Sequence, residues 1–173
     1  MTEKNGADIL RRRSLPIDQW HEMGQAGDMI PVTITLAGDS MRPLIRRDRD
    51  KVTIIPLNRE LQIGDIVLFQ GGPERYVVHR VYRMRDEFVQ TLGDNCLNPD
   101  PWMKKTQVWG LVVRMERNGK AHPLDTEASR RWGRFWMAIH PVRMIYRRAR
   151  SLAARIYRKI FPKDRKGGGA YGR

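Results

Sequence analysis

The 173-residue sequence has one cysteine, Cys96, which excludes an intramolecular disulfide and leaves the fold to stand on its buried core. It has no uninterrupted apolar stretch approaching the ~20 residues that a membrane-spanning helix needs. The opening MTEKNGADILRRRSLP carries charges with no apolar run behind them, so neither a signal peptide nor a transmembrane helix is expected. Together these absences point to a cytoplasmic location. The four histidines and single cysteine form no metal-ligand spacing, and neither a metal nor a cofactor is expected.

Acidic residues are what the C-terminal quarter lacks. Residues 1–127 hold 19 Lys/Arg against 18 Asp/Glu, whereas residues 128–173 hold 14 against one. Nearly all of the net charge of +14 therefore belongs to that tail. What is present, 40% hydrophobic and 30% charged residues, suits one domain with a compact core and a polar surface.

Residues 1–30 are polar and broken by Gly6, Pro16, Gly24 and Gly27. They read as a leader with a short helix around Ile17 to Met23. From Pro31 the sequence turns to short β-branched runs: Val32 to Leu36, Val52 to Pro56, Asp65 to Phe69, Tyr76 to Met84, Phe88 to Leu92 and Val108 to Met115. Turn-forming clusters such as Gly38-Asp39, Gly71-Gly72-Pro73 and Gly93-Asp94-Asn95 separate them. No helix long enough for a parallel crossover lies between. A mainly β domain over 31–116, a folded sheet or partial barrel, is expected, followed by a basic helical tail over 117–173. In that tail Trp132, Phe135, Trp136 and Ile139, then Val142, Ile145, Ala149, Leu152, Ile156 and Ile160, recur at helical spacing. Pro141 is expected to divide the pattern into two helices.

A serine hydroxyl is a poor nucleophile at neutral pH and needs a base in reach and a group to orient that base. Ser40, His79 and an aspartate meet that need, in the segments Gly38-Asp39-Ser40-Met41-Arg42-Pro43, Gly64-Asp65-Ile66-Val67, Val78-His79-Arg80-Val81 and Gly93-Asp94-Asn95, with Asp100 beyond. Each segment alone is an ordinary turn or strand. Their order and separation over residues 32–115 resemble the signal peptidase I and LexA-like serine peptidase superfamily. His79 stands where the bacterial enzymes have lysine, which resembles the Ser-His type of the endoplasmic reticulum and archaea.

The resemblance implies a LexA/signal-peptidase-like fold and a serine endopeptidase that acts on a peptide or protein precursor. It implies Ser40 as nucleophile, His79 as general base, Asp100 as its orienting carboxylate and Asp94 in support of the site. It also implies an oxyanion hole at the Ser40 and Gly38 N–H groups, Met41 packed beside the nucleophile and Pro43 stiffening the turn. The family anchors itself with a transmembrane segment, which this sequence lacks. A catalytically silent peptide-binding module, or an adaptor directed by its tail to a membrane or nucleic acid, is the competing expectation.

Gly64-Asp65 reads as a structural turn. Lys51, Lys104 and Lys105 read as solvated, and His21, His122 and His140 have no partner pattern. Self-cleavage at Ala26-Gly27 fits poorly, because only 14 residues separate that bond from Ser40. A histidine base predicts a pH–rate profile rising near pH 6–7. The basic stripe over residues 132–161 predicts peripheral contact with an anionic membrane, against the alternative that its aromatics dock on the domain; nucleic acid is disfavoured for want of a nucleic-acid-binding fold.

Overall fold

The computed structural model describes residues 16–73 and 75–160. It holds two compact units, Met1–Met137 and Ala138–Arg173. In the first, the β-branched runs form strands β1 Val32–Thr35, β2 Asp50–Pro56, β3 Ile66–Gly72, β4 Arg75–Arg85, β5 Phe88–Leu92 and, after the two-residue β6 Met103–Lys104, β7 Val108–Arg117; β8 is Lys120–Pro123. Neither β6 nor β8 has a counterpart in the sequence reading. Two residues are too few to show alternation, and β8 is exposed throughout and ends on proline.

All strand pairings are antiparallel, in the order β1-β2-β7-β3-β4-β5-β6, with β8 on β7. The result is a mainly β structure built on an open sheet. Its centre is covered on both faces, which explains the continuous apolar run Ile66-Val67-Leu68-Phe69. Successive strand side chains point to opposite faces. Ile66 and Leu68 accordingly pack with Trp20, Met41, Ile45 and Val112, while Val67 and Phe69 pack with Leu61, Val81, Val89 and Leu111.

Helix α1, Ile17–Gln25, corrects the reading of residues 1–30 as a leader. Its Trp20 is 1% exposed and lies in the core, where Nε1 donates to the Ile30 carbonyl at 2.7 Å. The His21 ring stacks on Trp109 with centroids 4.1 Å apart. A single tryptophan in a polar nine-residue helix leaves too short an apolar stripe to read in the sequence. The rest of the leader reading, residues 1–15, lies outside the described residues.

The first unit also reaches further than residue 116. It includes β8 and all but the last residue of helix α2, Glu127–Ala138, which buries Gly133 and Met137. In the second unit, helix α3 spans His140–Ile160 with Pro141 in its first turn, where the missing proline N–H is not needed by the helix.

Candidate active site

Ser40 follows β1 on a tight turn in which the Arg42 N–H donates to the Asp39 carbonyl at 3.2 Å and the Ile45 N–H to the Met41 carbonyl at 2.9 Å. The Arg42–Pro43 peptide bond is cis. Met41 is fully buried among Trp20, Ile45 and Ile54, so the residue after the serine anchors the turn in the core. A second turn clamps it from the β5 side. The Asn95 N–H donates to the Ser40 carbonyl at 2.7 Å, and Asn95 Nδ2 donates to the Asp39 carbonyl at 3.2 Å. The N–H groups of Gly38 and Ser40 have no protein acceptor among the described residues.

His79 lies on β4 opposite Val67 of β3 and is buried. Its Nδ1 donates to Asp100 Oδ2 at 2.6 Å. Thr91 Oγ1 donates to the same carboxylate oxygen at 2.6 Å, and the Asp100 N–H donates to the Thr91 carbonyl at 2.9 Å, so β5 holds the aspartate in place. Burial opposes charge on the imidazole, but the Asp100 hydrogen bond, and after it the contact with Cys96, outweigh burial and raise its pKa to about 9. Burial likewise opposes charge on Asp100, and the hydrogen bonds from His79 and Thr91 overcome it to hold the carboxyl below its ordinary range. For a histidine acting as a base, this raised pKa would place its deprotonation above the pH 6–7 expected from the sequence. The sequence motifs point to both His79 and Asp100, but not to the 2.6 Å contact that stabilises the imidazolium.

The carboxylate of Asp94, expected to support the site, engages Arg80. Arg80 Nε and Nη2 donate to its two oxygens at 2.9 Å each, with both side chains wholly buried. Arg80 Nη1 also donates to the Gly64 carbonyl at 2.8 Å, and Trp136 Nε1 donates to the Asp94 carbonyl at 2.9 Å. Asp94 thus acts on the site at one remove, by fixing the 93–96 turn that holds Ser40. Gly133 on α2 lets the helix approach, since a Cβ there would lie 2.6 Å from Arg80 Nη1. Asp65 has the structural role expected of it: it accepts two hydrogen bonds from Arg59, at 2.8 and 2.9 Å, and one from the Gln62 N–H at 2.8 Å.

Ser40 and His79 line one cleft of about 430 Å³, with Ile34 to Asp39, Leu68, Arg75 to Val78 and Cys96. Gly93 lies behind Ser40 and His79: a Cβ on it would sit 2.9 Å from both His79 Nε2 and the Ser40 carbonyl oxygen. The Ser40 hydroxyl makes no hydrogen bond to His79. Instead Cys96 Sγ is 3.9 Å from His79 Nε2. Sequence reasoning weighed this cysteine only as a metal ligand or disulfide partner and missed its place beside the base; its position two residues after Asp94, in the turn next to the serine, was the available signal. A larger cleft of about 740 Å³, lined by Phe69, Gly72, Trp102 and Asp100 among others, adjoins the first through Arg75 and Val77.

The remaining candidates lie elsewhere. Lys51 is exposed on β2 opposite Glu116, and His122 is exposed on β8. Ala26 and Gly27 close the turn after α1 and are not lining residues of the cleft. Among the described residues no three His, Cys, Asp or Glu side chains are grouped to hold a metal ion. No protein-family model matches the chain, and no curated protein matches it either.

Proposed function

We propose that the chain is a serine endopeptidase of the signal peptidase I and LexA-like type, with a fold of that kind. The observation that carries this reading is buried His79, bonded to Asp100 at 2.6 Å and lining one cleft with Ser40 on a clamped turn. Ser40 Oγ attacks the scissile carbonyl carbon and passes its proton to His79 Nε2, while Asp100 stabilises the imidazolium. The oxyanion is held by the N–H groups of Ser40 and Gly38. The proton then goes to the leaving amine, and water releases the acyl group by the same route.

The substrate lies extended. β1 pairs only with β2, and β4 pairs with β5 only from Arg80 onward, so residues 34–35 and 75–79 border the cleft with a strand edge left open in the sheet. A peptide strand added there satisfies both edges and crosses Ser40.

A second reading, a silent peptide-binding module, is favoured by one observation: Ser40 is not hydrogen-bonded to His79, whose raised pKa leaves it largely protonated at neutral pH. The test is labelling by a serine-directed acylating probe between pH 7 and 10. Labelling of wild type and of Cys96→Ala, lost in Ser40→Ala and His79→Ala, supports the peptidase. Labelling that instead disappears with Cys96→Ala assigns the nucleophile to the thiol. No labelling at any pH, with peptide binding retained, establishes the binding module. For an active enzyme, Asp100→Asn is expected to lower turnover roughly 10³- to 10⁴-fold, because it leaves the imidazole in the wrong tautomer.

A further inference from the structure

We propose that helix α3 is a membrane-surface helix that seats its apolar face among anionic lipid headgroups. Its 21 residues include no Asp or Glu. Val142, Ile145, Tyr146, Leu152, Ile156 and Tyr157 are 68, 69, 65, 58, 50 and 63% exposed. At 100° per residue these six, with Ala149 and Ala153, fall within an arc of roughly 140°. Arg143 and Arg150 stand along one margin of that arc and Arg148 and Arg155 along the other.

This distribution selects the partner. Apolar side chains exposed along about 24 Å of helix gain nothing from water, and cationic margins gain nothing from a neutral apolar groove. A bilayer with anionic headgroups satisfies both, because the apolar arc sinks to the acyl boundary while the arginines remain at phosphate level. The helix lies on the surface, since no helix among the described residues is long and apolar enough to cross a membrane. The surface is also narrower than residues 132–161 suggest. Trp136 is bonded to the Asp94 carbonyl, Met137 is buried, and Trp132 stacks on Trp136 with centroids 5.3 Å apart. Those residues pack within the sheet-bearing unit, where Phe135 is left 61% exposed, and among the described residues the long exposed apolar stripe lies on α3.

The experiment is flotation of the full chain with vesicles of phosphatidylcholine alone or mixed with phosphatidylglycerol. It compares wild type, Ile145→Glu/Leu152→Glu and Arg148→Ala/Arg155→Ala, with circular dichroism confirming equal folding. Binding is expected only to the mixed vesicles, weakened about fivefold for each arginine removed and at least roughly tenfold by the two glutamates, which would each place a charge at the acyl boundary. Four outcomes overturn the proposal: equal binding to both vesicle types; no binding to either; undiminished binding of the glutamate variant, which would mean charge attraction alone; or vesicle-independent dimerisation or RNA retention that the glutamate variant abolishes.

Discussion

The imidazole of His79 is held between two opposing tendencies, burial against the charge and Asp100 in favour of it, and the carboxylate wins. For the proposed peptidase activity, kcat/KM is expected to rise with pH through about 9, where His79 loses its proton, rather than near 6.5. Stability runs the other way. A folded-state pKa above the unfolded value of 6.5 means that the protonated histidine favours the folded chain. That contribution, on the order of 3 kcal/mol for such a shift, is fully present below pH 6.5 and lost as pH rises through 9. Denaturant titrations at pH 6 and pH 9.5 on wild type and His79→Gln check it: the wild-type loss should be much smaller in the variant.

Gly93 is the other residue that decides the site. A Cβ there would lie 2.6 Å from Cys96 Sγ as well as 2.9 Å from His79 Nε2 and the Ser40 carbonyl oxygen. Gly93→Ala is expected to displace all three, abolish probe labelling and destabilise by roughly 1–3 kcal/mol. Thermal melts and labelling of the same sample measure both. Activity retained at wild-type level would show that the turn is free to move.

At the scale of elements, the buried Arg80–Asp94 pair joins β4 to the turn after β5, and Trp136 and Gly133 bring α2 against it. Removing one partner of such a pair strands the other charge without water, at a cost of about 3–5 kcal/mol. Asp94→Asn is expected to lower the melting temperature strongly, whereas Asp39→Asn, at a half-exposed site with loose ion pairs to Arg42 and Arg47 at 3.9 and 3.7 Å, should change it little. Comparison of the two by calorimetry separates a buried ion pair from ordinary charge removal. The same elements show what pattern reading can find. Strands β1 to β5 and β7 were legible because their β-branched runs are bounded by turn residues. The contribution of α1 was not, since its one fully buried side chain is Trp20.

At the scale of the whole molecule, the buried apolar side chains among the described residues all lie between Trp20 and Met137, and most of the excess positive charge lies beyond them. Deleting residues 140–173 is therefore expected to leave the melting temperature and probe labelling of the remaining chain unchanged while removing vesicle binding. Calorimetry and flotation of the truncated chain test this, and a large drop in melting temperature would show that the tail contributes to the fold.

Local sequence determined the elements and the reactive residue types of this protein: alternation and turn residues specify strands, and Ser40, His79 and Asp100 stand out by their motifs. Only the tertiary structure decided which groups meet. The Asp100–His79 bond spans 21 residues and the Asn95 clamp on the Asp39 carbonyl spans 56. The pKa of His79, the partnership of Asp94 with Arg80 and the place of Cys96 beside the base all follow from distances that sheet pairing and burial set, and no local pattern encodes them.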